Sequence, residues 1–224
     1  MPPPVNARPP RLAVLISGRG SNLAAMIHAV DTGRLHATIC AVISNRPATA
    51  GLALATAQRL PTAVIDHRQF AGRKAFEAKL TQLIDSYQPD LVVLAGFMRV
   101  LSADLVQRFQ GRMLNIHPSL LPRYPGLNTH QRVLAAGDAE HGATVHLVSG
   151  QVDGGPAIAQ ITVPVRAGDC AERLAARVLQ QEHHLLPTVL QWFAAGRLDL
   201  SATPPQLDGQ PLNQPLRLPT CSTS

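Results

Sequence analysis

The sequence predicts an α/β protein with a Rossmann-like open, mostly parallel sheet and helices on both faces of the sheet. Two observations carry this prediction. Short apolar runs, such as residues 12–17 and 91–95, are typical of strands that are covered on both faces. Stretches with apolar residues at helical spacing separate these runs, and strands that alternate with helices form right-handed βαβ units with parallel strands. An antiparallel C-terminal extension and a long C-terminal helix are expected to complete the fold.

The first half of the chain repeats a strand, a loop and a helix. Residues 12–17 form the first predicted strand, and a glycine loop with the sequence GRGSN follows it at 18–22. The next apolar residues fall at i, i+3, i+4 and i+7, which predicts an amphipathic helix ending near Gly33: Leu23, Met26, Ile27 and Val30. Further strands are predicted at 37–43, 62–65 and 91–95, and helices at 49–59 and around 76–87. Because 91–95 is the most apolar run, it is expected at the centre of the sheet.

The second half of the chain has a different pattern. Residues 96–101 form a loop, and a short helix leads to a strand at 115–117. Strands at 143–148 and 157–165 are joined by turn-forming residues, which favour an antiparallel pair. Asp169 and Glu172 have the spacing of a capping box with Asp169 as the cap. This box opens a predicted helix that runs to about residue 195 and that Pro187 is expected to kink.

We expect one domain over residues 11–199, with two halves at 11–110 and 111–199. A Pro-rich leader precedes it at 1–10, and a tail rich in Pro, Gln and Ser follows it at 200–224. The tail has the composition of a loosely attached segment.

Composition excludes several classes of protein. The net charge is +6, but the 18 Arg and 2 Lys residues are scattered singly, so the charge favours small phosphorylated substrates over nucleic acid. The three cysteines lack metal-ligand spacing and are expected to be free thiols in a reducing compartment. The N-terminus lacks the apolar core of a signal peptide, and no apolar run is long enough to span a membrane. A cytoplasmic protein is therefore expected.

Asn115 and His117 form the strongest chemical signal. Side chains alternate along a strand, so these two residues share one face, and Pro118 then ends the strand at the edge where open α/β sheets bind ligands. The Asn115 amide donates two hydrogen bonds, and His117 exchanges protons near neutral pH. The pair suits the oxyanion of a tetrahedral acyl-transfer intermediate. A structural role for His117 is the alternative.

Three further groups remain open in function. Asp153 lies in a glycine turn, where it either caps the turn or approaches His117, raises its pKa and holds a water. His146 is a strand histidine or lines the same cleft. Glu182 has helical spacing with apolar residues, so it faces inward and pairs either with an arginine or with a ligand. His183 and His184 are expected on the helix surface or in the core.

The glycine loop does not complete a dinucleotide-binding motif. Gly18 and Gly20 fit its first half, but Leu23 occupies the third glycine position. The second strand ends at Asn45 without an acidic side chain for a ribose, which excludes nicotinamide. The loop remains either a phosphate cradle or a tight turn. The sequence contains no HExxH motif, so no metal site is predicted, and it contains no GxSxG motif, so a serine hydrolase is not predicted.

Together these motifs resemble the phosphoribosylglycinamide formyltransferases of the small, folate-dependent kind. The resemblance runs from about residue 12 to residue 198. The matching motifs, in order, are GxGSN at 18–22, LAGFMR at 94–99, NIHPSLLP at 115–122, YPG at 124–126, HG at 141–142, VDGGP at 152–156 and QEH at 181–183. The combination is highly specific, whereas each single motif is not. One departure is Asn128, where the family pattern has a histidine.

The resemblance implies a role for each matching residue. Residues 11–110 become the phosphate-binding half, and residues 111–199 become the catalytic and folate half. By this resemblance, the phosphate of the ribonucleotide binds to Gly20, Ser21 and Asn22, and Glu182 also contacts this substrate. The implied binding residues of the formyl-folate are Arg73, Met98, Arg99, Val100, Leu101 and Asn115. The implied catalytic residues are Asn115, His117 and Asp153.

The implied reaction transfers the formyl group of 10-formyltetrahydrofolate to the amine of N1-(5-phospho-D-ribosyl)glycinamide in de novo purine (IMP) biosynthesis. Neither a metal nor nicotinamide is expected, and the assembly is a monomer or a homodimer. Two rivals share the core: methionyl-tRNA formyltransferase would carry an extra C-terminal domain, and formyltetrahydrofolate deformylase an N-terminal regulatory domain. The chain length disfavours both. A non-catalytic nucleotide-binding α/β protein is the alternative from another class.

Overall fold

The computed structural model describes residues 8–220 and contains two sheets and six α-helices in that range. The helices are α1 (Ser21–Asp31), α2 (Ala50–Ala57), α3 (Arg73–Ser86), α4 (Ala103–Arg108), α5 (Thr129–Ala136) and α6 (Ala171–Ala194). The strands are β1 (Arg11–Ile16), β2 (Thr38–Ser44), β3 (Thr62–Val64), β4 (Leu91–Leu94), β5 (Met113–His117), β6 (Glu140–Leu147), β7 (Ala157–Pro164), β8 (Leu198–Asp199), β9 (Gln206–Leu207), β10 (Gln210–Pro211) and β11 (Leu216–Leu218).

The main sheet has eight strands in the order β11-β7-β6-β5-β4-β1-β2-β3. All neighbours from β5 to β3 are parallel, whereas β6 is antiparallel to both β5 and β7. This confirms the predicted fold class, including the central place of β4. The strands β5, β4 and β1 are parallel and neighbours in the sheet. The loops that follow them therefore lie side by side at the carboxyl ends of the strands.

Helices cover both faces because strand side chains alternate. In β1, Leu12, Val14 and Ile16 join a core that includes residues of α1, α2, α5 and α6. Leu15 points the other way, into a core formed by α3 and α4 with Phe76 and other apolar residues. In α1 the buried residues Leu23, Met26 and Ile27 lie at the helical spacing that the sequence predicted.

One local prediction was wrong. The cap of α6 is Cys170 rather than Asp169, and its side chain makes no capping hydrogen bond. Asp169 instead accepts two hydrogen bonds from the Arg177 guanidinium and one from the backbone amide of Arg166, and these charge-assisted bonds hold its carboxylate away from the start of the helix. Helix α6 contains Pro187 and continues through it to Ala194, and the kink at Pro187 stays a prediction. Helix α5 was not predicted from the sequence.

The segment after residue 200 is not loosely attached, as its composition had suggested. Strands β9 and β10 pair with each other and with β8 in a small antiparallel sheet, and Arg197 forms an ion pair with Asp208 across it. Strand β11 then pairs in parallel with β7 and forms one edge of the main sheet. Hydrogen bonding to an existing edge compensates for the polar composition of this segment.

Some predictions concern residues that are only partly described. Most of the leader lies outside the described residues, although Arg8 forms an ion pair with Asp90. Cys40 is buried and Cys170 exposed, and both are free, whereas Cys221 lies outside the described part. Within residues 8–220, no helix has both the length and the apolarity that a membrane crossing requires. The division at residue 110 stays a prediction.

Candidate active site

The candidate site lies at the carboxyl end of β5, where Asn115 and His117 occupy alternate positions. Strand β5 ends at His117, so Pro118 stops it as predicted. His117 is buried, and Asn115 is half-buried. The antiparallel register with β6 places His146 opposite Asn115 and Thr144 opposite His117. A second imidazole therefore enters the site from the neighbouring strand.

His146 fixes the direction of the Asn115 amide. Nδ1 of His146 donates to the backbone carbonyl of Leu147 at 2.8 Å, because a carbonyl oxygen only accepts. In the neutral ring this leaves Nε2 as an acceptor, and Nδ2 of Asn115 donates to it at 3.0 Å. The same Nδ2 lies 3.4 Å from Oδ1 of Asp153. The sequence left the place of His146 open, and the structure places it in the cluster.

His117 has an acceptor at each ring nitrogen. Nε2 donates to the backbone carbonyl of Tyr124 at 2.9 Å, and Nδ1 lies 3.3 Å from Oδ2 of Asp153. Burial lowers the pKa of His117 below its ordinary value, whereas the Tyr124 carbonyl and Asp153 both act to raise it. The influence of Asp153 on the pKa thus has the predicted sign, but burial outweighs it. Only the imidazolium form satisfies both acceptors at once.

Asp153 reaches the site from the turn between β6 and β7. Its backbone has a φ of 51°, a left-handed conformation that Asp tolerates better than most residues. Oδ2 also accepts a hydrogen bond from the backbone amide of Gly126 at 2.8 Å. Burial acts to raise the pKa of Asp153, but the neighbouring imidazole of His146, the hydrogen bond from the Gly126 amide and the charge of His117 outweigh it and hold this pKa low. Asp153 is therefore an ionised carboxylate near neutral pH.

The glycine loop closes against α2 and opens onto the N-terminus of α1. Gly20 is the residue before the helix, with a φ of 76°, and it has no side chain to cap the helix. A Cβ at Gly20 would lie 2.6 Å from Cα of Gly51 in α2. Both the backbone conformation and the close approach therefore require glycine. An uncapped helix N-terminus, whose first backbone amides have no acceptor within the helix, favours an anion.

Asn22 in α1 is hydrogen-bonded to Glu182 in α6. Nδ2 of Asn22 donates to Oε2 of Glu182 at 2.7 Å, and both side chains are buried. Burial raises the pKa of Glu182, and the bond from Asn22 opposes this rise. The partner of Glu182 is thus an amide rather than the arginine that one alternative had proposed. Oδ1 of Asn22 is buried and has no partner among the described residues.

The loop after β4 is exposed and is held at both of its ends. Met98 and Val100 are 63% and 60% exposed, which is unusual for large apolar side chains and leaves their surface open to a ligand. The amide of Met98 donates to Oγ of Ser17 at 2.8 Å. At the other end, Oε1 of Glu77 accepts hydrogen bonds from the Ser102 amide and from the Arg73 guanidinium. The predicted folate residues thus lie together.

The structure brings the predicted residues into three neighbouring groups along one edge of the sheet. Asp153 contacts both Asn115 and His117 at the end of β5, the loop with Met98 follows β4, and the loop with Gly20 follows β1. The sequence did not indicate the carbonyl of Tyr124, because every residue has a backbone carbonyl and the residue type does not show which one accepts a hydrogen bond. Among residues 8–220, no set of three His, Cys, Asp or Glu side chains is arranged to hold a metal.

An open, mostly parallel sheet with an amide, an imidazole and a carboxylate at the end of one strand defines an α/β protein equipped for acyl transfer. Comparison with known proteins agrees with this class. The model of the Formyl transferase family matches residues 10–190. The chain belongs to this family and, within it, to the phosphoribosylglycinamide formyltransferases, the enzymes of purine biosynthesis that its relatives represent.

The relatives match over nearly the whole chain. The phosphoribosylglycinamide formyltransferase of Escherichia coli is 49% identical over 201 residues, which cover 90% of this chain and 95% of the relative. The human trifunctional purine biosynthetic protein adenosine-3 is 45% identical over 85% of this chain, and this region is 19% of that longer protein. The solved phosphoribosylglycinamide formyltransferase of Coxiella burnetii has a TM-score of 0.89 and 48% identity, and the match covers 93% of this chain and all of that one.

Proposed function

We propose that the protein transfers the formyl group of 10-formyltetrahydrofolate to the amine of N1-(5-phospho-D-ribosyl)glycinamide, with Asn115, His117 and Asp153 as its catalytic residues. One observation carries the assignment of these roles. The carboxylate of Asp153 contacts both Asn115 and His117 at the carboxyl end of β5, next to the exposed loop after β4 and the glycine loop after β1. Both ligands can therefore meet at the cluster.

The ribonucleotide binds at the glycine loop in this proposal. The phosphate lies on the uncapped N-terminus of α1, where the amides that follow Gly20 and the side chains of Ser21 and Asn22 donate to it. Glu182 is fixed beside this site by its bond to Asn22, and it accepts hydrogen bonds from the hydroxyl groups of the ribose. The unpartnered Oδ1 of Asn22 is a further acceptor for the same ligand.

The folate binds along the loop after β4. The exposed apolar side chains of Met98 and Val100 flank the ring system, and the backbone of residues 98–101 supplies hydrogen bonds to the pterin. Arg73 and Arg99 offer positive charge to the carboxylates of the ligand. Glu77 bonds Arg73 and the Ser102 amide with the same oxygen, so it holds the arginine beside the end of the loop.

Formyl transfer at this cluster proceeds through a tetrahedral intermediate. The amine of the ribonucleotide attacks the formyl carbon, and the carbonyl oxygen gains negative charge. Asn115 donates a hydrogen bond to this oxygen, and protonated His117 adds positive charge beside it. Asp153 favours the protonated form of His117 and holds a water that carries the proton from the attacking nitrogen to the folate nitrogen. The bond from carbon to the folate nitrogen then breaks.

The proposal is tested with purified protein and both substrates. We expect a formylated ribonucleotide and tetrahydrofolate in equal amounts, and neither product when the ribonucleotide is omitted. Formate released from formyl-folate without the ribonucleotide would indicate a deformylase instead. Binding of both ligands without any formyl transfer would support the non-catalytic alternative and end the proposal.

A further inference from the structure

Asp138 lies between α5 and β6, and its carboxylate binds two successive side chains of the segment that follows β5. One oxygen, Oδ2, accepts hydrogen bonds from the Arg123 guanidinium and from the Tyr124 hydroxyl. The bonds from Arg123 and Tyr124 hold the pKa of the Asp138 carboxyl below its usual value. The bond to Asp138 raises the pKa of Tyr124, so the hydroxyl keeps the proton that it donates. The segment is therefore held at a single carboxylate.

Arginine side chains hold the same segment at a second place. The guanidinium carbons of Arg123 and Arg132 each lie over the Tyr124 ring, 5.3 Å from its centroid, which is within the range of a cation–π contact. Nη1 of Arg132 also donates hydrogen bonds to the backbone carbonyls of Pro125 and Leu127. Because Arg132 belongs to α5, this helix fixes the position of the backbone on both sides of residue 126.

The backbone of Tyr124 has a conformation that depends on such contacts. Its φ is 55°, in the left-handed region that large side chains rarely adopt, and residues persist there only where their surroundings hold them. In this conformation the Tyr124 carbonyl accepts a hydrogen bond from Nε2 of His117 at 2.9 Å and lies 3.2 Å from Oγ of Ser119. The side-chain contacts of Tyr124 thus hold its carbonyl at the imidazole of His117.

The charge of His117 depends on few favourable contacts. Burial lowers the pKa of this imidazole, and the Tyr124 carbonyl and Asp153 oppose that effect. Titratable groups from two elements either act on the imidazole or respond to its charge: His146 and His141 in β6, and Arg132 and His130 in α5. Of all these groups only Asp153 carries a negative charge, so the Tyr124 carbonyl is the second support of the charged form.

We propose that Asp138 is a positioning residue for formyl transfer, which holds the Tyr124 carbonyl against Nε2 of His117 and so keeps the imidazole charged. This inference rests on the proposed function, in which the charged imidazole stabilises the oxyanion. When the carbonyl moves away, the imidazolium keeps a buried N–H without an acceptor, whereas the neutral ring can lose that proton. Loosening the segment therefore favours the neutral ring.

The expected effect is a shift of the pH profile. A hydrogen bond to a charged group contributes about one pKa unit, so we expect Asp138→Ala to move the fall of kcat to lower pH by about 0.5 to 1 unit. Above that pH, kcat is then about threefold to tenfold lower, and below it kcat stays within about twofold. The KM values should also stay within about twofold, because no ligand contact is removed. A purely structural role would lower kcat equally at every pH.

The test follows the imidazole of His117 directly as well as the rate. Protein labelled with ¹⁵N-histidine is titrated by NMR without ligands, and His117→Ala identifies the signal. The same proteins are then assayed for kcat as a function of pH: the unchanged chain, Asp138→Ala and Tyr124→Phe. Tyr124→Phe removes one hydroxyl and no charge, so a shift in this variant comes from the segment and not from the lost charge of Asp138. Thermal unfolding checks that each variant is folded.

Asp85→Ala is the matched control. The Asp85 carboxylate accepts a hydrogen bond from Arg108 at 3.0 Å, so this variant also loses one negative charge and one ion pair with an arginine. Asp85 lies near the end of α3, shortly before β4 begins, whereas the site lies at the carboxyl ends of the strands. We expect the pKa of His117 to be unchanged in this variant.

Each outcome decides the inference separately from the function. A lower pKa of His117 in both Asp138→Ala and Tyr124→Phe supports it, and an unchanged pKa in either folded variant overturns it. If Asp138→Ala does not fold, Tyr124→Phe decides alone. An equal shift in Asp85→Ala, or a kcat that falls equally at every pH, also overturns the inference. The NMR shift without any turnover in the unchanged chain keeps the positioning of the imidazole and rejects the proposed function, whereas turnover without the shift keeps the function alone.

Discussion

The carboxylate of Asp153 faces the imidazole of His117, with 3.3 Å between Oδ2 and Nδ1. The two residues come from different loops and strands, and two further contacts hold this geometry. The Gly126 amide binds Oδ2 of Asp153, and the Tyr124 carbonyl binds Nε2 of His117. Residues 124–126 therefore fix both partners from one segment. A small change in this segment would alter the charge state of the imidazole.

Removing either member of this pair is expected to lower the rate of formyl transfer. We predict that His117→Ala and Asp153→Asn each reduce kcat by more than about 10²-fold, because the oxyanion loses positive charge beside it or the proton path loses its carboxylate. Steady-state kinetics with both substrates measures this loss. Turnover close to that of the unchanged protein in either variant would remove the role assigned to that residue.

The pH dependence of the same variant tests how Asp153 acts. Burial lowers the pKa of His117, and Asp153 opposes this effect. If the protonated imidazole is the active form, the rate falls as pH rises through this pKa. In Asp153→Asn the pKa of His117 is lower still, so the fall occurs at lower pH than in the unchanged protein. A fall at the same or a higher pH would show that Asp153 does not support the charge of His117.

His146 is expected to act through Asn115. His146→Leu removes the acceptor of the Asn115 amide, and we predict a loss of about tenfold in kcat with little change in the KM values. His146→Gln offers an amide oxygen to the same donor and should recover part of the rate. In an Asn115→Ala background, His146→Leu should have almost no further effect. Full additivity of the two losses would show that His146 has an independent role.

Gly20 is predicted to be required for binding the ribonucleotide. In Gly20→Ala the added Cβ meets the backbone of Gly51, so the loop shifts and the KM for the ribonucleotide rises by about tenfold or more. Gly33→Ala is a matched control: it has a similar positive φ of 70°, but nothing lies within 4 Å of its added Cβ. If both variants raise this KM equally, the cause is a general loss of stability and not a change in the proposed phosphate site at Gly20.

The sequence predicted the parts of the site that depend on local geometry. Alternation along one strand places Asn115 and His117 on one face, and Pro118 ends the strand, so neither conclusion needs distant contacts. His146 could not be assigned in this way. Its position opposite Asn115 depends on the register between β5 and β6, which follows from the packing of the whole sheet.

Elements with little apolar character were the ones that sequence patterns missed. Helix α5 has only Val133 among its buried large apolar side chains, so its periodicity is too weak to detect. Strand β11 has three residues and forms because β7 offers a free edge. The distance from Asp153 to His117 likewise depends on a turn conformation and on Gly126, neither of which residue types reveal.

A buried histidine pair should make the protein less stable in acid. His141 is 1% exposed, and its Nε2 lies 3.0 Å from Nδ1 of His130. Burial, with the nearby His130, lowers the pKa of His141 from 6.5 to about 4. As the pH falls, His141 therefore binds its proton at a higher pH in the unfolded chain than in the folded protein. The stabilising contribution of neutral His141 is full above about pH 6.5 and is lost progressively toward pH 4.

The size of this effect can be measured by urea unfolding at pH 7.5 and pH 5. A pKa that is lowered from 6.5 to about 4 corresponds to about 3 kcal/mol in the free energy of unfolding over the whole range, and roughly half of that is lost by pH 5. His141→Gln cannot titrate, so its free energy of unfolding should fall less between the two pH values. His36→Gln removes an exposed histidine and is expected to fall as the unchanged protein does. Equal losses in all three proteins would show that His141 is not the group that the folded state keeps neutral.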